Sequence, residues 1–115
     1  MPEAEDEKPI EFLYDSLEVL KAFPVGARRD TGYELGLLQL GLHPTDAKPM
    51  KAVGAGVYEI RVSEAGQAFR TLYVAKFEEA IYVLHAFEKK SQKTPKKDLE
   101  LGKARYRELV RERSH

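Results

Sequence analysis

Between Lys89 and Lys97 the chain places five lysines in nine residues: Lys89, Lys90, Lys93, Lys96 and Lys97. An alternating run, Tyr82 to Phe87, precedes them, and Thr94-Pro95 reads as a helix start, hydroxyl cap then proline. Positive charge this dense beside a strand end suits a phosphate backbone better than an apolar ligand. The competing reading is a solvated basic face. Lysine near a helix N-terminus opposes the macrodipole at a local cost of about a few tenths of a kcal/mol, and Lys96 and Lys97 fall in that first turn. That cost favours anion binding over stability, and a phosphate there would also meet unpaired backbone N–H groups.

Two arginines extend the basic set. If the hairpin Tyr58–Tyr73 turns at Ala65-Gly66, Arg61 lies opposite Arg70 on one face of the sheet. Like charges across a ladder are destabilising unless an anion or an acid lies between them. Glu59, two residues from Arg61 on the same face, could neutralise the pair. Alternatively, the two guanidinium groups form a fork for a phosphate, which they bind bidentately. A register shift of one residue would place them on opposite faces.

His85 falls in phase with Ile81, Val83 and Phe87. Among apolar neighbours it reads as a packed, hydrogen-bonded residue. At a strand end beside the lysines it could instead transfer protons near neutral pH. His43 is in a loop and His115 is terminal, and no HxxxH or HExxH spacing occurs, so no metal site is expected. Gly54-Ala55-Gly56 lacks the phosphate-loop frame and precedes a strand, so it is not a nucleotide loop. Ser-His-Asp catalysis has no support in the sequence.

The elements that would position these groups follow from periodicity. Ile10–Tyr14 alternates as a short strand. Asp15 or Ser16 can cap a helix through Leu17, Val19, Leu20 and Phe23. Pro24 restarts a second helix that runs to about Leu40, with Gly41 as its stop. Gly32 and Gly36 lie four apart on that helix, which suggests either close approach of another backbone or a locally weak helix. Leu42–Gly56 reads as a loop. Val57–Val62, Phe69–Phe77 and Ile81–Phe87 follow as three strands joined by short connections. Leu99, Tyr106, Leu109 and Val110 give the last helix a sparse apolar stripe. The order β-α-α-β-β-β-α predicts an α+β domain with helices on a mainly antiparallel sheet.

A chain of 115 residues fits one domain, expected here as residues 10–113 after an acidic, flexible tail at 1–9. The net charge of zero hides an asymmetry. Residues 1–18 carry seven acids against Lys8, whereas residues 88–113 carry ten bases against five acids. The basic end is therefore the expected anion-binding end. There is no cysteine, so disulfides and thiolate metal sites are excluded. No apolar run approaches the ~20 residues that cross a bilayer, and no signal-peptide pattern opens the chain. A cytoplasmic protein is expected, without a membrane partner.

Several blocks occur in an order that resembles a known family: Leu20-Lys21-Ala22-Phe23-Pro24, Gln39-Leu40-Gly41, Ala47-Lys48-Pro49-Met50-Lys51, Gly54 to Arg61, Phe69-Arg70, and Leu84-His85-Ala86-Phe87-Glu88-Lys89-Lys90 through Thr94-Pro95. From Ile10 to about Leu109 the chain is similar to the phage-derived, HigB-like branch of the RelE/ParE toxin superfamily. The resemblance implies a compact RelE-like fold and a helix-turn-helix antitoxin as partner. It also implies cleavage of mRNA on the ribosome by attack of a ribose 2′-OH on the adjacent phosphodiester, with neither metal nor cofactor. Such an enzyme must position RNA, neutralise developing charge and assist two proton transfers.

By the same resemblance Arg70 matches the family arginine that follows an aromatic residue, and Arg61 falls where basic residues contact substrate. Lys89 and Lys90 occupy the basic segment after the last strand, and Lys93, Lys96 and Lys97 would bind RNA. The late tyrosine that RelE uses near the cleaved phosphate has no counterpart here, because Tyr106 lies too far along the chain. The general base and acid are thus unassigned, with His85, Lys89 and Lys90 as candidates. Two other functions fit the same fold: a ParE-type inhibitor of gyrase that is not an enzyme, and an inactive homologue that only binds antitoxin.

Overall fold

The computed structural model describes residues 7–115. It contains β1 (Ile10–Phe12), α1 (Ser16–Lys21), α2 (Val25–Gln39), β2 (Ala47–Pro49), β3 (Val57–Glu64), β4 (Gln67–Val74), β5 (Ile81–Lys89) and α3 (Lys96–Arg113). The strands form one sheet in the order β1-β5-β4-β3-β2. β1 runs parallel to β5 and the other pairs are antiparallel. The α+β class and the helix order expected from the sequence are those observed. Of the acidic segment, residues 1–6 lie outside the described residues. Lys8 and Pro9 are joined to the fold: the Lys8 N–H donates to the Gln39 carbonyl at 3.0 Å, and the Ile81 N–H donates to the Pro9 carbonyl at 2.9 Å.

Burial divides the sheet into two faces. Ile60, Val62, Phe69, Tyr73, Ile81 and Val83 pack against Leu20, Phe23, Ala27 and Leu35 of the α1–α2 side. Val57, Leu72, Val74, Leu84 and Phe87 pack with Leu109 of α3 and with Val53. The apolar alternation of β3 and β4 produces this two-sided core. Glycine allows α3 to sit close: a Cβ on Gly102 would stand 2.8 Å from Leu72 Cδ1, and one on Gly54 would collide with the Tyr106 ring.

Five local expectations are corrected. The segment read as a loop contains β2, paired with Tyr58–Ile60. Pro49 is tolerated there because β2 is an edge strand. β1 ends at Phe12, and Tyr14 turns the chain with φ 54°. The caps of α1 and α3 differ too. Asp15 occupies the N-cap of α1 without a side-chain bond to the helix, and Pro95, not Thr94, occupies that of α3. Gly32 and Gly36 have no heavy atom within 4 Å of an added Cβ, so no other backbone approaches them and the close-approach reading falls. Finally, β5 carries a bulge. Leu72 pairs with His85 but Tyr73 pairs with Val83, so Leu84 is the extra residue. His85 is thereby out of phase with Ile81 and Val83 and lies on the α3 side, stacked on Phe87 at 5.3 Å between ring centroids.

Candidate functional site

Ala65 and Gly66 turn the β3–β4 hairpin with φ 51° and 82°, the two positive values that a tight two-residue turn requires. The turn sets Arg61 directly opposite Arg70 and, across the next pair, Arg70 opposite Phe87 and Ala68 opposite Lys89. Directly opposed residues share a face. Arg61, Arg70 and Lys89 therefore belong to the α3 face of the sheet, at the end where the hairpin turns.

Each arginine has its own carboxylate. Arg70 is 8% exposed, and its Nε stands 3.6 Å from Glu59 Oε1, with Glu59 itself 1% exposed. Arg70 also donates from Nη1 to the Phe69 carbonyl at 3.0 Å. The pair is loosely closed: Glu59 Oε2 and Arg70 Nε make no hydrogen bond with described residues. Arg61 is exposed and lies 3.9 Å from Asp46 Oδ1. It lines a cleft of about 190 Å³ with Asp30, Tyr33 and Glu34. The acid that answers the cross-strand charge is thus Glu59 for Arg70 and Asp46 for Arg61.

His85 is buried in a polar chain that links three elements. Its Nε2 stands 2.7 Å from Asp98 Oδ1 and its Nδ1 3.3 Å from Arg105 Nη1. Guanidinium can only donate, so Nδ1 accepts and Nε2–H donates to Asp98. Arg105 also donates to the Leu84 carbonyl at 3.0 Å and pairs with Asp15 at 2.9 Å. The Tyr14 ring centroid lies 5.0 Å from the Arg105 guanidinium carbon. Asp98 and Arg105 lie seven residues apart, two turns of α3 on one face. This chain pins the first turn of α3 to the bulge of β5, and with it the basic segment between them.

The lysines vary in exposure. Lys89 is half-buried at the end of β5, and Lys90, Lys93, Lys96 and Lys97 are exposed. None of the five forms an ion pair with a described residue. Lys96 and Lys97 stand in the first turn of α3, which the His85–Asp98 bond ties to β5. Among the described residues no three His, Cys, Asp or Glu side chains are grouped to hold a metal, and no helix is long and apolar enough to cross a membrane.

The register puts Arg61, Arg70 and Lys89 on one sheet face, but Arg61 lines a cleft with α2 residues that neither Arg70 nor Lys89 lines, and Lys96 and Lys97 stand in the first turn of α3. His85 is held beneath α3 with both ring nitrogens engaged. Asp15, Asp98 and Arg105 were missed from sequence. The seven-residue spacing of Asp98 and Arg105 is visible in the sequence, but it carries no meaning until the bulge turns His85 towards α3.

A small α+β domain with a five-stranded mixed sheet, helices on both faces and a cationic strand end has the architecture of RelE-like toxins. Residues 18–107 match the model of the family described as phage derived protein Gp49-like (DUF891), and the chain belongs to that family. The family lies within the RelE/ParE-like toxin superfamily, whose members are commonly the toxins of toxin–antitoxin systems. No curated protein matches the chain.

Proposed function

We propose that this protein is a cytoplasmic toxin that cleaves mRNA on the ribosome without a metal and is silenced by a helix-turn-helix antitoxin. The observation that carries this reading is the cross-strand Arg61–Arg70 pair with Lys89 on the same face. Three cations on one face, continued by Lys90, Lys93, Lys96 and Lys97, suit a polyanion that bends over a strand end. In the reaction the 2′-OH attacks the adjacent phosphorus, the P–O5′ bond breaks, and a 2′,3′-cyclic phosphate and a 5′-OH result. Arg61, Arg70 and Lys89 would stabilise the charge that grows on the non-bridging oxygens. Arg70 would exchange Glu59 for phosphate, and the loose 3.6 Å pair is suited to that exchange. His85, engaged at both nitrogens, would hold α3 and the lysines in place rather than move protons.

Expression of the protein alone, with mRNA ends mapped and plasmid supercoiling measured, tests the reading. New mRNA ends inside open reading frames, lost on Arg61→Ala, are the expected result. Arg61 is the better control because loss of Arg70 would strand a buried Glu59 carboxylate. A second reading is a gyrase inhibitor that is not an enzyme, favoured by the internal engagement of Arg70 and His85. Altered supercoiling with intact mRNA would select it. Absence of any growth effect would count against both.

A further inference from the structure

A broad hollow in the described structure lies away from the arginines. It is a groove of about 700 Å³ where the end of α2 and the following turn face the starts of β2 and β3 and the end of β4. α2 ends at Gly41, whose φ of 79° lets the Leu42 N–H donate to the Leu37 carbonyl at 2.9 Å and the Gly41 N–H to that of Leu38 at 3.0 Å. That ending throws Leu40 and Leu42 outward, 58% and 54% exposed, facing Tyr58, which is 40% exposed and stacks on Tyr73. Three of the large apolar side chains that the protein leaves in water thus meet in one place.

The charge lining the groove has one sign. Lys8 and Lys76 line it, and among the described residues no carboxylate does. Both ammonium groups bond to neutral acceptors, Lys8 to the Ala75 carbonyl at 2.6 Å and Lys76 to the Tyr106 hydroxyl at 3.2 Å, so their charge is not cancelled. A small-molecule site would aim several polar groups at one point. Here both ammonium groups and the Gln39 amide are bonded within the fold, and the leucines are presented.

We propose that this groove is the docking site for an antitoxin segment that carries apolar side chains flanked by acids. The inference rests on the toxin reading above and adds where the partner sits. The cationic end of the sheet lies at the opposite end of β3, from Arg61 onwards, whereas Tyr58 stands near its beginning. Docking is therefore separable from the RNA site.

The product of the adjacent reading frame is the probe. It is co-expressed with the full chain, and the complex is mapped by amide hydrogen exchange. Protection at residues 38–44 and 73–76 is expected. Leu42→Asp should weaken the complex about tenfold or more yet stay toxic when expressed alone, while the double variant Lys93→Glu, Lys96→Glu should still co-purify. A complex that protects only residues 89–97 overturns the inference and leaves the toxin reading intact. Failure to associate, with no growth effect, removes both. If deletion of residues 1–6, which hold Glu3, Glu5 and Asp6, instead strips protection from the groove in the free chain, the occupant is the chain's own acidic segment and the inference falls.

Discussion

Arg70 and Glu59 form a buried ion pair, and Arg70 is also one of the arginines proposed to meet phosphate. Removing a single partner of a buried pair leaves the other charge without compensation at about 3–5 kcal/mol, whereas replacing both by apolar groups is often neutral. Arg70→Ala should therefore lower the urea midpoint sharply, and Glu59→Leu with Arg70→Met should restore most of it. Arg61→Ala, exposed beside Asp46, should change stability by less than about 1 kcal/mol. Equal losses for the two arginines would contradict the burial difference. Tyr73 allows a second test. Burial, then Tyr58 and Glu34, push its hydroxyl up to about 12. The unfolded chain ionises first, near the ordinary tyrosine value of 10.0, and binds fewer protons above that pH. Stability is accordingly intact below pH 10 and lost as the pH rises towards 12. Thermal melts across this range should show a slope that Tyr73→Phe flattens.

At the level of elements, what could be read in advance was what a local rule determines. Ala65-Gly66 fixes the hairpin register, and so the Arg61–Arg70 pairing followed from sequence. The bulge at Leu84 did not, because nothing in the alternation of Ile81 to Phe87 marks where a residue is added. One added residue carried His85 from the α2 side to the α3 side and changed its partners from apolar neighbours to Asp98 and Arg105. β2 escaped notice because a three-residue edge strand with a proline has no pattern of its own. The glycines separate by the same logic. Gly32→Ala and Gly36→Ala meet open space, and each should raise stability by up to about 1 kcal/mol through helix propensity. Gly54→Ala would drive a methyl into the Tyr106 ring and should lower it by about 1–3 kcal/mol. Chemical denaturation of the three variants measures both directions.

For the whole molecule the charge distribution matters more than its zero sum. The exposed lysines before and within the first turn of α3 stand without acid partners among the described residues, so the proposed nucleic acid would meet them unscreened by the protein. Removing three phosphate contacts reduces the slope of log K against log salt by ~2 for a single strand. The triple variant Lys93→Ala, Lys96→Ala, Lys97→Ala should show that change with single-stranded RNA, and an unaltered slope would mean that these lysines do not touch phosphate. The far end of α3 is fastened differently. Arg113 lies 3.7 Å from the Phe77 ring centroid and forks onto Glu79, whose carboxyl is held down at about 2 by that bond. The contribution of Glu79 to folding is present above its ordinary value of 4.5 and fades as the pH falls towards 2.

The parallel pairing of Ile10–Phe12 with Ile81–Val83 joins β1 to β5, and the ion pair of Arg105 with Asp15 joins the turn after β1 to α3. A ribosome delivers β1 and Asp15 long before β5 and α3. While the final helix is still inside the exit tunnel, the opening strand and the turn after it wait for their counterparts. The earliest strand of the fold is therefore among the last parts to be secured.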